Sequence, residues 1–380
     1  MELTCKHFKG DRPCRPYWDS ELYKQKDFKC SKSCKCYTPM EERILLIKLD
    51  AMGDVIRTTP LAEGIKKRYI NSQLTWLVAE SGYPFIKNNP FVDRVFIYNQ
   101  ENIQGLLCED FDLLINLDKA KKATSLANKI KSKEKRGYLL SPYGTPFPAN
   151  EGAKYLYDIA LDNWGKKTNN KKSFQEMIFE VAKIQYKNEE YSLKLENENL
   201  EFARKFKQRN KIIENIPIVG INTGCGPVYP YKKWHKEGVI ELIKELNKQN
   251  IQVMLFGGPD EIELNKELKT KVKNKIIDAG CNNTIMNFAA LMNICNLIFT
   301  GDTVALHIAI ALKKPVIAVF GPTPSQEIKL HIGKKLIGKV SCLNCYNQFP
   351  CIMDEAGKPN CMQTITLNEV LGAIKEYLPK

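Results

Sequence analysis

The sequence predicts an α/β protein built from two Rossmann-like halves that face each other across a cleft. Two series of apolar strands alternate with helical segments, and a highly charged, thinly apolar stretch over 187–215 separates them. At 380 residues the chain is long enough for two domains that each bury a core. The predicted parts are a cysteine-rich extension (1–42), two domains (43–190 and 191–340), and a cysteine-rich loop with a final helix (341–380).

The first half begins with an apolar strand over 43–49, and a helical pattern follows from about Val55 to Tyr69. The pattern then predicts an irregular loop over 142–150. The remaining predicted strands are 74–78, 94–98 and 113–117, and amphipathic helices follow at 153–164 and 175–184. This alternation predicts a parallel sheet.

The alternation restarts after the charged stretch. Strands are predicted at 218–222, 252–256, 275–278, 297–299 and 316–320, and a last helix at 367–378. Ligands of such sheets bind outside the carboxyl ends of the strands. Short polar turns follow several of these strands, so we expect a binding site where the turns meet.

The segment LIFTGDTVALHIAIALKKPVIAVFGPT, residues 297–323, is the centre of this prediction. A helix beginning near Val304 would point its N-terminus at the cleft, and free N–H groups and the helix dipole there suit a phosphate. Asp302 and Thr303 precede that helix, and His307 lies one turn into it. Taken alone, the same residues also fit a helix cap with a core histidine.

Other turns carry comparable residues. Gly53-Asp54 follows the first strand, where a carboxylate also suits a helix cap. The loop that starts at Asn222-Thr223-Gly224 lacks the GxGxxG spacing of a dinucleotide site. Lys232-Lys233-Trp234 precedes an amphipathic helix, Gly257 ends a strand, and Asp118 follows the 113–117 strand as either an acceptor ligand or a cap.

Three motifs, in this order, resemble glycosyltransferase family 9, the ADP-heptose:lipopolysaccharide heptosyltransferases. They are KLDAMGDVIRTTP, NTGCGP with the following KKW, and TGDT-x-x-x-H with the following FGPT. The resemblance covers about residues 44–323 and implies a GT-B fold, with acceptor bound by the first half and donor by the second. Val304 departs from the pattern, since many members have glycine there.

The resemblance also implies roles. Asp54 would act as the general base, with Arg57 in the same turn contacting the acceptor. The donor would be bound by Thr223, Gly224, Lys233, Gly257, Asp302, Thr303, His307 and Gly321. Lys233 and the N–H groups near Thr303 would stabilise the leaving diphosphate without a catalytic metal.

The chain has 13 cysteines, which in a reducing compartment favour metal or redox chemistry over disulfides. One predicted structural zinc or iron site uses Cys342, Cys345, Cys351 and Cys361. Some members of the resembled family carry a comparable cysteine-held iron. A second candidate site uses Cys5, Cys14, Cys30 and Cys34, with His7 as a further ligand; free thiols or a nucleic-acid-binding ribbon are the alternatives.

The resemblance implies an inverting, metal-independent transferase that moves a heptose from a nucleotide-diphosphate sugar, ADP-heptose, to a hydroxyl of a glycan, lipid or protein. The alternatives are a metal-ribbon nucleic-acid-binding protein and a nucleotide-binding oxidoreductase. The net charge of +14 favours acidic partners, but the lysines are scattered, so no nucleic acid is expected. No apolar run is long enough for a membrane span and no signal core is present, so we expect a cytoplasmic protein, with peripheral contact to the inner membrane as an option.

Overall fold

The computed structural model describes residues 2–25, 28–162, 169–226, 229–272, 276–346 and 350–378. It contains two six-stranded sheets, one in each half of the chain. Their presence confirms the predicted α/β class with two Rossmann-like domains.

The first sheet has the strand order β3-β2-β1-β4-β5-β6. Its strands are β1 (Arg43–Ile47), β2 (Gln73–Val78), β3 (Arg94–Ile97), β4 (Asp110–Asn116), β5 (Lys131–Leu140) and β6 (Pro146–Pro148). All pairings are parallel except that of β5 with β6. Placing β1 next to both β2 and β4 buries it completely on both faces, which explains its unbroken apolar sequence.

The second sheet has the order β12-β11-β10-β7-β8-β9 and is parallel throughout. Its strands are β7 (Ile218–Asn222), β8 (Gln252–Phe256), β9 (Ile277–Asp278), β10 (Leu297–Gly301), β11 (Val316–Phe320) and β12 (Gly333–Ile337). The central strands β10 and β11 are fully buried. Of the predicted strand 275–278, the structure contains the last two residues as β9. Lys275 lies outside the described residues.

Helices lie before, between and after the strands, and several of them pack on the sheets. They are α1 (Arg15–Asp19), α2 (Met52–Arg68), α3 (Tyr83–Ile86), α4 (Gln100–Leu107), α5 (Lys121–Lys129), α6 (Glu151–Leu161), α7 (Phe174–Val181), α8 (Asn197–Arg209), α9 (Lys236–Lys248), α10 (Ile262–Val272), α11 (Ile285–Ile294), α12 (Val304–Ala311), α13 (Ile352–Glu355) and α14 (Leu367–Tyr377). Trp164, in a helix predicted over 153–164, lies outside the described residues.

Three strands differ from the prediction. β6 lies within the stretch predicted to be an irregular loop, and β5 and β12 were not predicted. β5 begins Lys-Ser-Lys-Glu-Lys, and its first residues are half exposed, so it lacks the apolar pattern of the other strands. β12 is also partly exposed and carries two lysines. β12 is the outermost strand of its sheet, whereas β5 is covered on its outer side only where β6 pairs with Tyr138, Leu139 and Leu140. The first residues of β5 therefore form an exposed edge.

Helices α2 and α12 bring the two halves together. α2 is the helix after β1, α12 is the helix after β10, and they pack against each other. A Cβ added to Gly53 in the first turn of α2 would lie 3.0 Å from Cδ2 of His307 in α12. The absence of a side chain at this position therefore allows the two helices to approach closely beside the carboxyl edges of both sheets.

Candidate active site

A cavity of about 1170 Å³ lies between the two halves at the carboxyl ends of their strands. The first half contributes Asp54, Arg57 and Lys119 to its wall. The second half contributes many residues, among them Gly224, Lys232, Gly257, Glu261, Asp302, Thr303, His307 and Glu327. Residues from both halves that were predicted separately therefore share one cavity.

Two helix N-termini open into this cavity. Met52 and Gly53 of α2 line it from one side, and Thr303 and Val304 line it from the other. Thr303 caps α12, because its Oγ1 accepts a hydrogen bond from the Ala305 backbone N–H at 3.2 Å. The positive ends of both helices lower the free energy of negative charge in the cavity.

Asp54 lies in the first turn of α2, and its side chain is 42% exposed. Its carboxylate is 3.7 Å from Nζ of Lys48 and 3.6 Å from Nη1 of Arg57. Both cations are themselves buried, whereas the carboxylate is open to the cavity. Asp54 is thus an accessible proton acceptor flanked by two fixed positive charges.

Asp118 does not line the cavity. Its buried carboxylate accepts hydrogen bonds from Nζ of Lys48 and from the backbone N–H of Leu49. These contacts give Asp118 a different role from the predicted contact with the acceptor: it holds Lys48 beside Asp54. Asp118 is also not a cap for the helix that follows it, because the hydrogen-bond partners of its carboxylate lie just after β1.

The neighbouring Lys119 does line the cavity. Its Nζ lies 5.1 Å from the ring centre of Tyr138 and 5.5 Å from that of Tyr157. Burial lowers the pKa of Lys119 to about 8, while nearby Glu327 acts in the opposite direction. Its position directly after the 113–117 strand predicts that Lys119 faces the cleft, but gives no reason to prefer it to Asp118 as an acceptor ligand.

Asp302 is partly buried in the turn before α12, where Nζ of Lys232 lies 3.2 Å from its Oδ2. Burial alone would raise the pKa of Asp302, but Lys232 and His307 outweigh it and lower that pKa. Asp302 is therefore an anion that holds the ammonium group of Lys232 at the cavity wall.

His307 is 4% exposed, and its Nε2 is 4.0 Å from Oδ1 of Asp302. Burial, followed by the charge of Arg57, lowers the pKa of His307 to about 4. Nδ1 of the ring is buried without a hydrogen-bond partner among the described residues. The imidazole is thus neutral near pH 7.

Of the two lysines before Trp234, Lys232 lines the cavity and Lys233 does not. Lys233 lines an adjoining pocket of about 280 Å³, and its Nζ lies 2.8 Å from Oε1 of the buried Glu261. Lys232 therefore faces the large cavity, whereas Lys233 is paired with Glu261, and the predicted donor contact of Lys233 stays a prediction. The sequence could not separate these adjacent lysines, because the 3-10 turn ends at Lys232 and Lys233 points to a partner that is distant in sequence.

Of the four remaining predicted donor residues, two line the cavity and two do not. Gly224 and Gly257 line the cavity, and a Cβ on Gly224 would lie 2.7 Å from Oε2 of Glu261. Thr223 is buried behind them, with its Oγ1 2.7 Å from Oδ1 of Asn265. Gly321 lies off the cavity wall, against the side chain of Cys361.

The predicted cysteine metal sites are not formed in this structure. Across the described residues, which include all 13 cysteines, no three His, Cys, Asp or Glu side chains form a group that could hold a metal ion. In the C-terminal loop, burial and then the other three thiols raise the pKa of Cys361 to about 12, so the four are neighbours without metal-binding geometry. The N-terminal thiols are likewise free, and Cys34 accepts a hydrogen bond from the Cys36 backbone N–H at 3.4 Å.

An Asp-x-Asp sequence, Asp110-Phe111-Asp112, lies at the other edge of the first sheet, where β4 begins. Asp112 accepts a hydrogen bond from the Arg43 backbone N–H at 2.8 Å and pairs with Lys133 at 2.7 Å. These aspartates are therefore structural and lie away from the cavity. Within the described parts of the chain, no helix is both long and apolar enough to cross a membrane.

The chain matches the family model for glycosyltransferase family 9 (heptosyltransferase) over residues 101–355. It is 23% identical over 351 residues to lipopolysaccharide heptosyltransferase 1 of Campylobacter coli, covering 88% of this chain and 98% of that enzyme. It also matches lipooligosaccharide heptosyltransferase 2 of Haemophilus influenzae at 28% identity over 130 residues. That match spans 33% of this chain and only 37% of the relative's length.

Solved structures have the same fold. A glycosyl transferase family 9 protein from Veillonella parvula superposes with a TM-score of 0.71 at 22% identity, covering 89% of this chain and 97% of that one. The E. coli ADP-heptose lps heptosyltransferase II superposes with a TM-score of 0.65 at 16% identity, covering 88% and 98%. The GT-B arrangement is thereby confirmed, and the chain belongs to glycosyltransferase family 9, the heptosyltransferase family.

Proposed function

We propose that this glycosyltransferase transfers a heptose from ADP-heptose to a hydroxyl group of a lipopolysaccharide core or another glycan or protein, with inversion at the anomeric carbon. The observation that carries the proposal is the shared cavity, in which Asp54 of one half faces Lys232, Asp302 and the N-terminus of α12 from the other. A transfer needs both a proton acceptor and a site for a leaving diphosphate, and the two halves supply one each.

In the proposed reaction, a carboxylate oxygen of Asp54 takes the proton from the acceptor hydroxyl. The acceptor oxygen forms a bond to the anomeric carbon while the bond from that carbon to the diphosphate oxygen breaks, and its electron pair leaves with ADP. Lys232 and the N–H groups at the start of α12 stabilise the charge that develops on the diphosphate. These groups supply the positive charge, so the proposal includes no catalytic metal.

The nucleoside would lie at the end of the cavity lined by Gly224, Gly257 and Glu261. The glycines leave space for close approach of the ligand, and the buried carboxylate of Glu261 can accept hydrogen bonds from ribose hydroxyls. Support for an ADP-linked heptose comes from the described function of the E. coli enzyme of the same fold. The neutral His307 would contact a phosphate or sugar oxygen.

The acceptor would bind to the first half, where Lys119 and Arg57 lie beside the apolar side chains of Leu156, Ile159 and Phe174. Such a surface suits a glycan or peptide whose apolar face packs on the wall while Lys119 binds an anionic group. We place the enzyme in the cytoplasm, where the nucleotide sugar is available, with peripheral contact to the inner membrane when the acceptor is a lipid.

The test combines donor binding with turnover. Purified protein is screened for thermal stabilisation by ADP-, GDP- and UDP-sugars, and ADP release from ADP-heptose is then measured with and without acceptor. We expect stabilisation by ADP-heptose, and we expect Asp54→Asn to lower turnover by about 10² or more while donor affinity stays within about threefold.

Asp19→Asn, in the N-terminal extension, is the matched control and should behave as wild type. A preference for a UDP- or GDP-sugar would overturn the assignment of the donor. Turnover by Asp54→Asn at the control's rate would remove Asp54 as the base.

A further inference from the structure

Arg57 joins the two halves inside the cavity. Its Nη1 is 3.6 Å from Oδ1 of Asp54, and its Nη2 is 3.5 Å from Oε2 of Glu327 in the other half. The guanidinium also lies 3.7 Å above the ring centre of Phe174. One buried cation is therefore shared between the candidate base and a second carboxylate.

Glu327 ends a short 3-10 helix over Ser325–Glu327, and its side chain is 15% exposed. Burial raises the pKa of Glu327, while Arg57 and Tyr346 oppose that effect. The hydroxyl of Tyr346 donates a hydrogen bond to Oε1 of Glu327 at 3.2 Å. Glu327 is thus held from both sides, with one oxygen toward Arg57 and the other toward Tyr346.

Tyr346 belongs to the cysteine-rich loop that follows β12, yet it lines the cavity. The loop is attached to the turn after β11, because the Asn344 backbone N–H donates to the Gly321 carbonyl at 3.0 Å and that of Tyr346 to Pro322 at 2.7 Å. The predicted metal loop therefore contributes a side chain to the active site.

We propose that Glu327 is a positioning residue for the transfer: it holds the Arg57 guanidinium from the donor half, so that Arg57 stays beside Asp54 and orients that carboxylate toward the acceptor hydroxyl. Tyr346 fixes the orientation of Glu327. The inference rests on the proposed role of Asp54 as the base. In this arrangement, a carboxylate of the donor half and a tyrosine of the cysteine-rich loop position the base of the acceptor half.

Charged and titratable groups surround this contact. Those whose fields reach Glu327, or that bind its 3-10 turn, are Arg57, Asp54, Asp302, Tyr346, Lys119 and Lys335. Replacing Glu327 by glutamine removes the ion pair that holds Nη2 of Arg57 in the donor half. Arg57 and the neighbouring Asp54 are then less well fixed in the cavity, so the proton transfer from the acceptor hydroxyl slows.

The experiment measures kcat and KM for ADP release from ADP-heptose at about pH 7.5. In Glu327→Gln we expect kcat to fall by about tenfold or more while KM for the donor stays within about threefold. Tyr346→Phe should lower kcat in the same direction by less. Glu376→Gln, whose carboxylate pairs with Lys334 on the surface at 2.8 Å, is the matched control and should leave both values unchanged.

A folded Glu327→Gln variant that keeps the wild-type kcat, or that loses donor affinity as much as it loses kcat, would overturn the positioning role. If that variant does not fold, the milder Tyr346→Phe decides by the same criterion. Wild-type protein that releases no ADP would instead overturn the proposed function and the inference with it, so the two failures are distinguishable.

Discussion

Replacing His307 by glutamine tests the electrostatics of the cavity without any ligand. The ring is buried between Arg57 and Asp302, and its pKa falls from the ordinary 6.5 to about 4. In the unfolded chain it takes up a proton at about pH 6.5, whereas the folded protein resists protonation until about pH 4. The stability that the neutral His307 contributes is therefore fully present above about pH 6.5 and is lost as the pH falls toward 4.

The size of this effect follows from the two pKa values. Their difference corresponds to about 3.4 kcal/mol of lost stability well below pH 4, of which about 2.5 kcal/mol is already lost at pH 4.5. His307→Gln carries no titrating group at this site. Between pH 7 and pH 4.5, the free energy of unfolding of this variant should therefore fall by about 2.5 kcal/mol less than that of the wild type.

The assay is urea denaturation of the ligand-free protein at a series of pH values between 4.5 and 7.5, read by tryptophan fluorescence. His331→Gln is the matched control, because His331 is partly exposed, 3.9 Å from Glu190, and should keep the wild-type pH dependence. If His307→Gln loses as much stability between pH 7 and pH 4.5 as the wild type does, the reasoning about a buried neutral histidine is refuted.

Three further outcomes are expected. Lys232→Ala should weaken ADP binding by about tenfold or more in calorimetry, because a charge-assisted phosphate contact is lost, and Lys233→Ala should weaken it less; the reverse order would restore the original prediction. Gly53→Ala should lower the free energy of unfolding by about 1 kcal/mol or more, because the new Cβ meets His307 at 3.0 Å; unchanged denaturation would show that the helices can move apart. Lys119→Met should raise KM for an anionic acceptor below pH 8, whereas wild-type KM should rise above about pH 8 as the amine loses its proton; equal KM values at pH 7 would exclude this contact.

The sequence was sufficient wherever position along a strand determines position in space. Asp54 and Asp302 each follow a buried parallel strand, so both could be placed at the carboxyl edge of a sheet before any coordinates were known. The same argument located Thr303 and His307, because the start of a helix after a strand fixes where its first turn points. These are local consequences of the α/β pattern.

Two of the side chains predicted from the sequence lie one position from a side chain that lines the cavity. Asp118 and Lys119 are adjacent, as are Lys232 and Lys233, and in each pair the structure turns one residue into the cavity and the other toward a buried ion partner. A strand pattern fixes which face a residue takes only while the strand continues. Beyond its end, side-chain direction depends on partners such as Glu261 that are distant in sequence.

Glu327 and Tyr346 show a second limit. No spacing rule connects either of them to Arg57, because the ion pair spans 270 positions and crosses between the halves. Only the packing of the cysteine-rich loop on the turn after β11 brings the tyrosine to the cavity. The loop was predicted for its cysteines, yet in this structure its contribution to the site is a phenol.

The contact between Gly53 and His307 explains how residues of the two halves come to share one cavity. Each half alone presents one helix N-terminus at its sheet edge, which would suffice to bind a phosphate but not to transfer a sugar. Packing α2 on α12 places the Asp54 carboxylate and the donor-binding turn in one cavity, and the missing Cβ of Gly53 allows that approach. Because Asp54 lies in the same turn of α2 as Gly53 and Arg57 lies one turn further along, the packing that orients the base also brings Arg57 to Glu327. The geometry of the base is therefore set by the contact between the halves, so substitutions in that contact should change kcat more than they change donor affinity.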